Sequence, residues 1–395
     1  MKEWINWSGS LRFVPARCLE PANEQELATI IRSIYHEGKR FRLAAAGHSS
    51  SALVETNETL INLKKMKGLV AHAGDTATFY AGTTVEEANE ALEKVGLALF
   101  NTGDVDVQTL AGAISTGTHG SGKTLQNLAS VLHGARLVNY RGDISEYSED
   151  TDPEAMRAMR VSLGGLGVFS TITVKVVPLF SLRRLELCTD TDTCMQHLDN
   201  LAANNRNLDF YWYPRNDGVK IRILNEPGKG MTHFSFKHRI ACDETDVVGK
   251  ILPRTRDLKF EEMEYSLEED AGPACFEAVR KRVKERHRKN VAWRVLYRFI
   301  AEDDFFLSPH SGRPGVSISL HHNAGLPFKE YFNDIEPIFR DFGGRPHWAK
   351  KHNMTVEHLR GLYPMWEQYH AVRHRFDPEK RMVNKHLQHI LFQND

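Results

Sequence analysis

Ile114-Ser115-Thr116-Gly117-Thr118-His119-Gly120-Ser121-Gly122-Lys123-Thr124 alternates glycines with hydroxyl side chains. Without a Cβ in the way, backbone N–H groups can close on an anion, and the hydroxyls add further donors. From Gly117 onward the string also satisfies G-x-x-x-x-G-K-[ST], the phosphate-binding loop of nucleotide triphosphatases. That reading requires a buried strand before the first glycine and a magnesium-holding Asp after a later apolar strand. The lead-in, Leu110-Ala111-Gly112-Ala113-Ile114, is rich in small residues and poorly strand-like. The later apolar stretches run into Asn139-Tyr140 and Pro178 rather than Asp. A P-loop NTPase on residues 117–124 is therefore the alternative, and a purely structural glycine turn is another.

A second glycine turn lies upstream. Ala45-Ala46-Gly47-His48-Ser49-Ser50-Ser51 leaves the strand-like run Phe41–Ala45 and carries a histidine among small residues. Around it the chain alternates helix and strand signals. Asn23 followed by Glu26 opens a helix whose apolar face is Leu27, Ile30, Ile31 and Ile34, ending at Gly38. Thr84 with Glu87 opens another, ending at Gly96. Strand-like alternation runs from Val168 to Val177. Two anion-cradling turns in one α+β domain suggest a diphosphate held from two sides.

After Pro178 the texture changes to β-branched and aromatic runs such as Leu208–Tyr213 and Val219–Ile223, which places a boundary near residue 178. An acidic block from Glu261 to Asp270 precedes a basic run from Arg280 to Lys289. The plain reading is a solvated helix face with opposite-sign neighbours; a polyanion-binding patch is the other.

The whole chain has 395 residues, enough for two or three domains, with 41% hydrophobic and 26% charged residues. Lys+Arg and Asp+Glu balance at 51 each, so no global field draws the protein to nucleic acid or anionic lipid. No apolar run is long enough to span a membrane, and Met1-Lys2-Glu3-Trp4 lacks a secretory plan. The five scattered cysteines, with no C-x-x-C, speak against a disulfide framework or metal site and fit a reducing, cytoplasmic setting.

Taken in order, several pieces resemble the vanillyl-alcohol-oxidase and p-cresol-methylhydroxylase type of FAD flavoprotein, and within it the sugar-1,4-lactone oxidases and alditol oxidases. These are Asn6-Trp7, Gly47-His48-Ser49, residues 117–122, Leu163-Gly164-Gly165-Leu166-Gly167-Val168, Phe210-Tyr211-Trp212-Tyr213-Pro214, Met263-Glu264-Tyr265, residues 342–350 and Arg375-Phe376-Asp377-Pro378. The resemblance implies an α+β fold: a two-part FAD-binding domain over residues 1–178, an α+β cap over 179–375, and a C-terminal segment, 376–395, returning to the FAD domain. It implies FAD, covalently attached through His48. Ala45, Ala46, Gly47, Ser49 and Ser50 stand in the first diphosphate turn; Ser115, Thr118, Gly120 and Ser121 in the second. Gly165, Gly167 and Val168 fall near the adenine end, and His347 is a further cofactor contact.

The implied reaction is oxidation of a CH–OH group of a small polyhydroxylated substrate, an aldono-1,4-lactone or alditol, with hydride passing to flavin N5 and O2 or another acceptor reoxidising the flavin. A cation must meet the negative charge that gathers on the reduced ring. Arg298 and Lys350 stand at the family positions for that task, and His321 at that of a base. One departure stands out. Relatives carry a glutamate two residues before the arginine, where this chain has Leu296, so the pocket is expected to be less polar there, favouring a less polar alcohol.

Overall fold

The computed structural model describes residues 3–252 and 258–393. The first half is built on two main sheets, with two short two-stranded pairs beside them. Arg17–Leu19, Thr59–Asn62 and Phe41–Ala44 form a parallel three-stranded sheet with Thr59–Asn62 at its centre. The helix Glu24–His36 crosses between its strands. Asn23 accepts from the Glu26 N–H, and the Glu26 carboxylate accepts from the Ala22 N–H, so both ends of the first turn are satisfied. A five-stranded antiparallel sheet follows in the order Ile144–Ser148, Leu132–Val138, Val168–Lys175, Thr76–Tyr80, Leu69–Ala73. The helix Val85–Lys94 beside it begins with a full Thr84/Glu87 capping box.

The second half is dominated by an eight-stranded sheet. Its inner strands run Asn207–Tyr213, Val295–Ile300, Gly315–Asn323 and Phe260–Glu268, all antiparallel, and its far edge is Arg239–Val247. Period-two alternation divides its two faces. Phe210, Tyr297 and Tyr265 face helices: Phe210 and Tyr297 meet Phe276 of Gly272–Arg282 edge-on, and Tyr265 stacks on Phe339 of Lys329–Asp341 at 5.1 Å. These rings are fully buried, each worth roughly 1.5–3 kcal/mol of apolar transfer. Their neighbours Tyr211, Leu296, Arg298, Glu262 and Glu264 point to the opposite face, towards the first half.

The acidic block is therefore not a solvated helix face. Residues 260–268 form an inner strand, with Glu261, Glu262 and Glu264 buried. Cations on neighbouring elements override the outward preference of the carboxylates. The basic run that follows is internally paired: Arg280 meets Asp192, Asp217 and Glu277, Lys284 meets Asp217, and Arg282, Arg286 and His287 meet Asp334.

The chain is back on the first half by Tyr369, whose hydroxyl donates to the Ser162 carbonyl. Arg42 fastens the return. Buried in the strand Phe41–Ala44, its guanidinium donates to the carbonyls of Leu53 (2.7 Å), Gly164 (2.9 Å), Leu163 (2.9 Å) and Met382 (2.5 Å), gathering three distant segments. Asn384 adds donations to the carbonyls of Ala52 and Glu55. Among the described residues no helix is long and apolar enough to cross a membrane.

Candidate active site

A long cleft of about 1450 Å³, counting its open mouth, runs between the two halves. One wall is the turn after Phe41–Ala44, with Ala45, Ala46, Gly47, His48 and Ser49 all lining it. Gly47 sits at φ +74°, and a Cβ there would meet the Trp4 ring at 3.2 Å, so the turn requires glycine. The N–H groups of Ala46, Gly47, His48 and Ser49 have no acceptor among the described residues. Asn6 and Trp7 hold the turn from behind: Asn6 donates to the Ser49 carbonyl, Trp7 N–H donates to the Gly47 carbonyl, and the Trp7 ring stacks on His48 at 5.3 Å.

The opposite wall differs from the sequence expectation. Ser115, Thr118 and His119 line the cleft, together with Gly103, Asp104, Val105 and Gly112. Gly120 and Ser121 do not line it. Gly120 is pressed against the Thr102 carbonyl and Asn101, where a Cβ would come within 2.5 Å, and Ser121 Oγ donates to the Leu208 carbonyl across the half-to-half seam. Nor do Gly165, Gly167 and Val168 line it. Gly167 lies against Leu137, Gly165 against Tyr369, and Val168 is core, while Leu163, Gly164 and Phe169 take the cleft position. Ser50 is also withdrawn, its N–H donating to the Ala349 carbonyl at 2.7 Å.

The geometry removes the P-loop reading. Leu110–Thr116 is an α-helix lying before the glycines, capped at its end by Gly117 at φ +71°; a P-loop needs a strand there and a helix afterwards. Lys123 points away to an ion pair with Glu269 and sits over the Phe299 ring.

The third wall is the open face of the eight-stranded sheet, where registers align side chains in rows. Glu262 lies opposite His321. Glu264, Ser319 and Leu296 form the next row, and Arg298 pairs with Ser317 beyond it. The small serines leave room for Arg298 to reach across: Nη2 lies 2.5 Å from Glu264 Oε1, and Nη1 donates to the His119 carbonyl at 3.2 Å. Burial opposes the charge on both partners. Glu264 nevertheless keeps Arg298 protonated, and Arg298 with His119 holds the Glu264 carboxyl well below its usual range. Glu262 bridges Lys350 Nζ and His321 Nε2, the latter at 3.4 Å, while His321 Nδ1 faces the Arg294 carbonyl at 3.2 Å. Lys350 is held close to His48 because Ser51 Oγ and the Ser50 and Ser51 N–H groups donate to the turn carbonyls of Trp348 and Ala349.

Sequence reasoning missed the carboxylates Glu262 and Glu264 as site members. Their signal was present: two acids spaced by two inside the run Phe260–Leu267, with Met263 between them and Tyr265 after. His119, Glu264 and His347 approach one another closely enough to hold a metal, but Arg298 already neutralises the carboxylate and none of the described residues adds a second.

His48 is pushed down to about 4, chiefly by burial and then by Lys350, so its imidazole is neutral at neutral pH. Burial likewise pushes His347 down to about 3 and His310 well below the usual 6.5. For these last two, deeply buried rings, the unfolded chain takes up a proton below about pH 6.5 and the folded chain does not. Stability should therefore fall as pH drops from about 6.5, by about 1.4 kcal/mol per pH unit for each histidine. Urea denaturation at pH 7 and pH 5.5 checks this, and equal midpoints would contradict it.

The cleft fits a flavin dinucleotide. A glycine turn with unengaged amides forms one wall, and Arg298 Nε and Glu264 Oε2 stand buried without partners on another. A family model described as FAD binding domain matches residues 15–148, and one described as D-arabinono-1,4-lactone oxidase matches residues 222–390. Among solved structures, cholesterol oxidase from Brevibacterium sterolicum superposes with a TM-score of 0.85 over 98% of this chain and 96% of that one, at 14% identity, a likeness of fold. Fold and site together define an FAD-linked oxidoreductase acting on CH–OH donors.

L-Gulono-1,4-lactone dehydrogenase of Mycobacterium tuberculosis is 30% identical, covering 98% of this chain and 99% of its own. L-Gulonolactone oxidase of Bos taurus is 26% identical with 98% of each chain covered, and D-arabinono-1,4-lactone oxidase of Yarrowia lipolytica 22% with 94% of each. The chain belongs to this family of sugar-1,4-lactone oxidases and dehydrogenases.

Proposed function

We propose that the protein oxidises a CH–OH group of an aldono-1,4-lactone, with FAD joined covalently to His48. The observation that carries this reading is the open face of the cap sheet, where Arg298, Lys350, His321 and two carboxylates are brought to one cleft wall opposite the His48 turn. The relatives named for lactones support the substrate class.

In this reading the N–H groups of residues 46–49 and the backbone of residues 103–105 hold the diphosphate, with Ser115 and Thr118 beside it. When bound, FAD supplies the hydride acceptor. Arg298 meets the negative charge that develops on the ring; its guanidinium is fixed beforehand by Glu264 and the His119 carbonyl, so little reorganisation is needed. His321 takes the hydroxyl proton of the substrate, and Lys350 orients the hydroxyl. His48 suits covalent attachment because its ring is neutral and held by the Trp7 stack, so a nitrogen lone pair is free to bond. The five cysteines form no disulfide among the described residues, and two of them are buried, which fits a reducing cytoplasmic setting.

Leu296 stands on the cleft wall and removes a polar contact from its own row. It favours a second reading, oxidation of a less polar alcohol. An anaerobic bleaching screen separates the two. Aldono-1,4-lactones are expected to bleach the visible absorbance of the flavin, and readmitted oxygen or an added acceptor to restore it. Bleaching by apolar alcohols but by no lactone would overturn the assignment.

A further inference from the structure

Glu262 has no role in the scheme above, yet it lines the cleft between two of the groups that the scheme uses. It lies on the inner strand Phe260–Glu268, 5% exposed, directly opposite His321 in register. One carboxylate oxygen meets Lys350 Nζ and the other faces His321 Nε2. It thus couples a cation delivered by the turn after Arg345–Pro346 to a histidine delivered by the strand Gly315–Asn323. The sequence resemblance implies a carboxylate two residues before Arg298, where this chain has Leu296. Leu296 sits one row away on the same face, separated from Glu264 by Ser319.

We propose that Glu262 is the positioning carboxylate of this active site, fixing the orientation of His321 and Lys350 towards the reacting hydroxyl and standing in for the acid that Leu296 lacks. The inference rests on the lactone-oxidising reading. Its chemistry is simple. As the C–H hydrogen leaves as hydride to flavin, the O–H proton passes to the His321 imidazole, and the imidazolium so formed lies between Glu262 Oε1 and the Arg294 carbonyl. The Glu262–Lys350 pair fixes the carboxylate so that it cannot swing away, and Phe260 and Trp293, whose ring centroids lie 5.0 and 6.1 Å from that of His321, restrict the imidazole. The charged and titratable groups facing Glu262 are Lys350, His321, Glu264, Arg298 and His347; Lys350 in turn faces His48 and His347. A merely structural ion pair would need only Lys350. The second arm to His321 is what points to catalysis.

The test uses the flavin-loaded protein and four variants: E262Q, E262D, L296E and E262Q/L296E. Anaerobic stopped-flow bleaching by a lactone should slow by about 10²-fold or more in E262Q at saturating lactone. Lactone affinity, read from the perturbation of the flavin spectrum, should stay within about threefold. The pH profile of bleaching should change shape in E262Q and keep it in E262D. L296E alone should give no gain, because it brings a third acid to the wall, whereas E262Q/L296E should recover at least about tenfold over E262Q. An independent readout needs no turnover: Lys350, freed from its partner, should label faster with an amine reagent in E262Q, measured peptide by peptide.

Wild-type bleaching with an unaltered pH profile in E262Q would overturn the proposal. So would a uniform rate loss with no profile change, which marks a structural pair. Should E262Q fail to fold, E262D decides: bleaching slowed about tenfold with flavin content unchanged supports the role, and a wild-type rate refutes it. If the wild type itself is not bleached by any lactone, the lactone reading fails, while the labelling result still reports on the Glu262–Lys350 pair.

Discussion

Replacing Arg298 by lysine is expected to slow flavin reduction by the lactone by about 10²–10³-fold while flavin stays bound. Arg298 spans two partners at once, Glu264 at 2.5 Å and the His119 carbonyl at 3.2 Å, and a single ammonium cannot hold both in one orientation. Charge is conserved in this variant, so the loss reports orientation rather than field. Alanine is expected to behave differently: it leaves Glu264 buried with only His119 beside it, and removing the cation of a buried pair costs about 3–5 kcal/mol. Stopped-flow reduction with thermal melts on both variants separates the effects. A lysine variant reduced at the wild-type rate would remove Arg298 from its assigned role.

The second large effect is expected at His48. In the wild type, acid precipitation should leave the flavin on the protein pellet, attached to the peptide that contains His48. In His48→Ala the flavin should appear entirely in the supernatant. The rest of the binding turn survives this change, because the Asn6 side chain and the Trp7 N–H hold the Ser49 and Gly47 carbonyls independently of the imidazole. The variant should therefore still bind FAD non-covalently, with reduction slowed by about tenfold or more through altered ring electronics. Flavin retained on the pellet of the alanine variant would show the attachment lies elsewhere or does not involve His48.

Much of this architecture is legible from local signals. The Asn23 and Thr84 caps mark two helix starts because a side-chain oxygen and a glutamate three residues on satisfy the same free amides wherever they occur. The Gly47 turn is legible for a similar reason: strand, then small residues, then a left-handed glycine. The second wall was not, because the eye follows glycine density. Gly120, Ser121 and Gly167 prove to be places where backbone or a core side chain crowds in, and the cleft instead takes Gly103–Val105, a plain-looking loop. Glycine serves close packing and close ligand approach alike, and only the tertiary neighbour tells them apart. The carboxylates Glu262 and Glu264 were hidden differently. A run of acids reads as surface because lone buried carboxylates are costly, and the arginine and lysine that pay that cost lie 34 and 88 residues away in sequence. Arg298 and Lys350 were named and their partners were not, although cation and acid form one unit.

A crystal structure of the yellow, flavin-loaded protein tests the central claim most directly. The account predicts the diphosphate lying between the amides of residues 46–49 and the loop 103–105, His48 bonded to the ring, and Arg298 and Lys350 within contact distance of the isoalloxazine or a bound lactone. A dinucleotide seated outside this cleft, or phosphates clasped instead by residues 120–123, would contradict it.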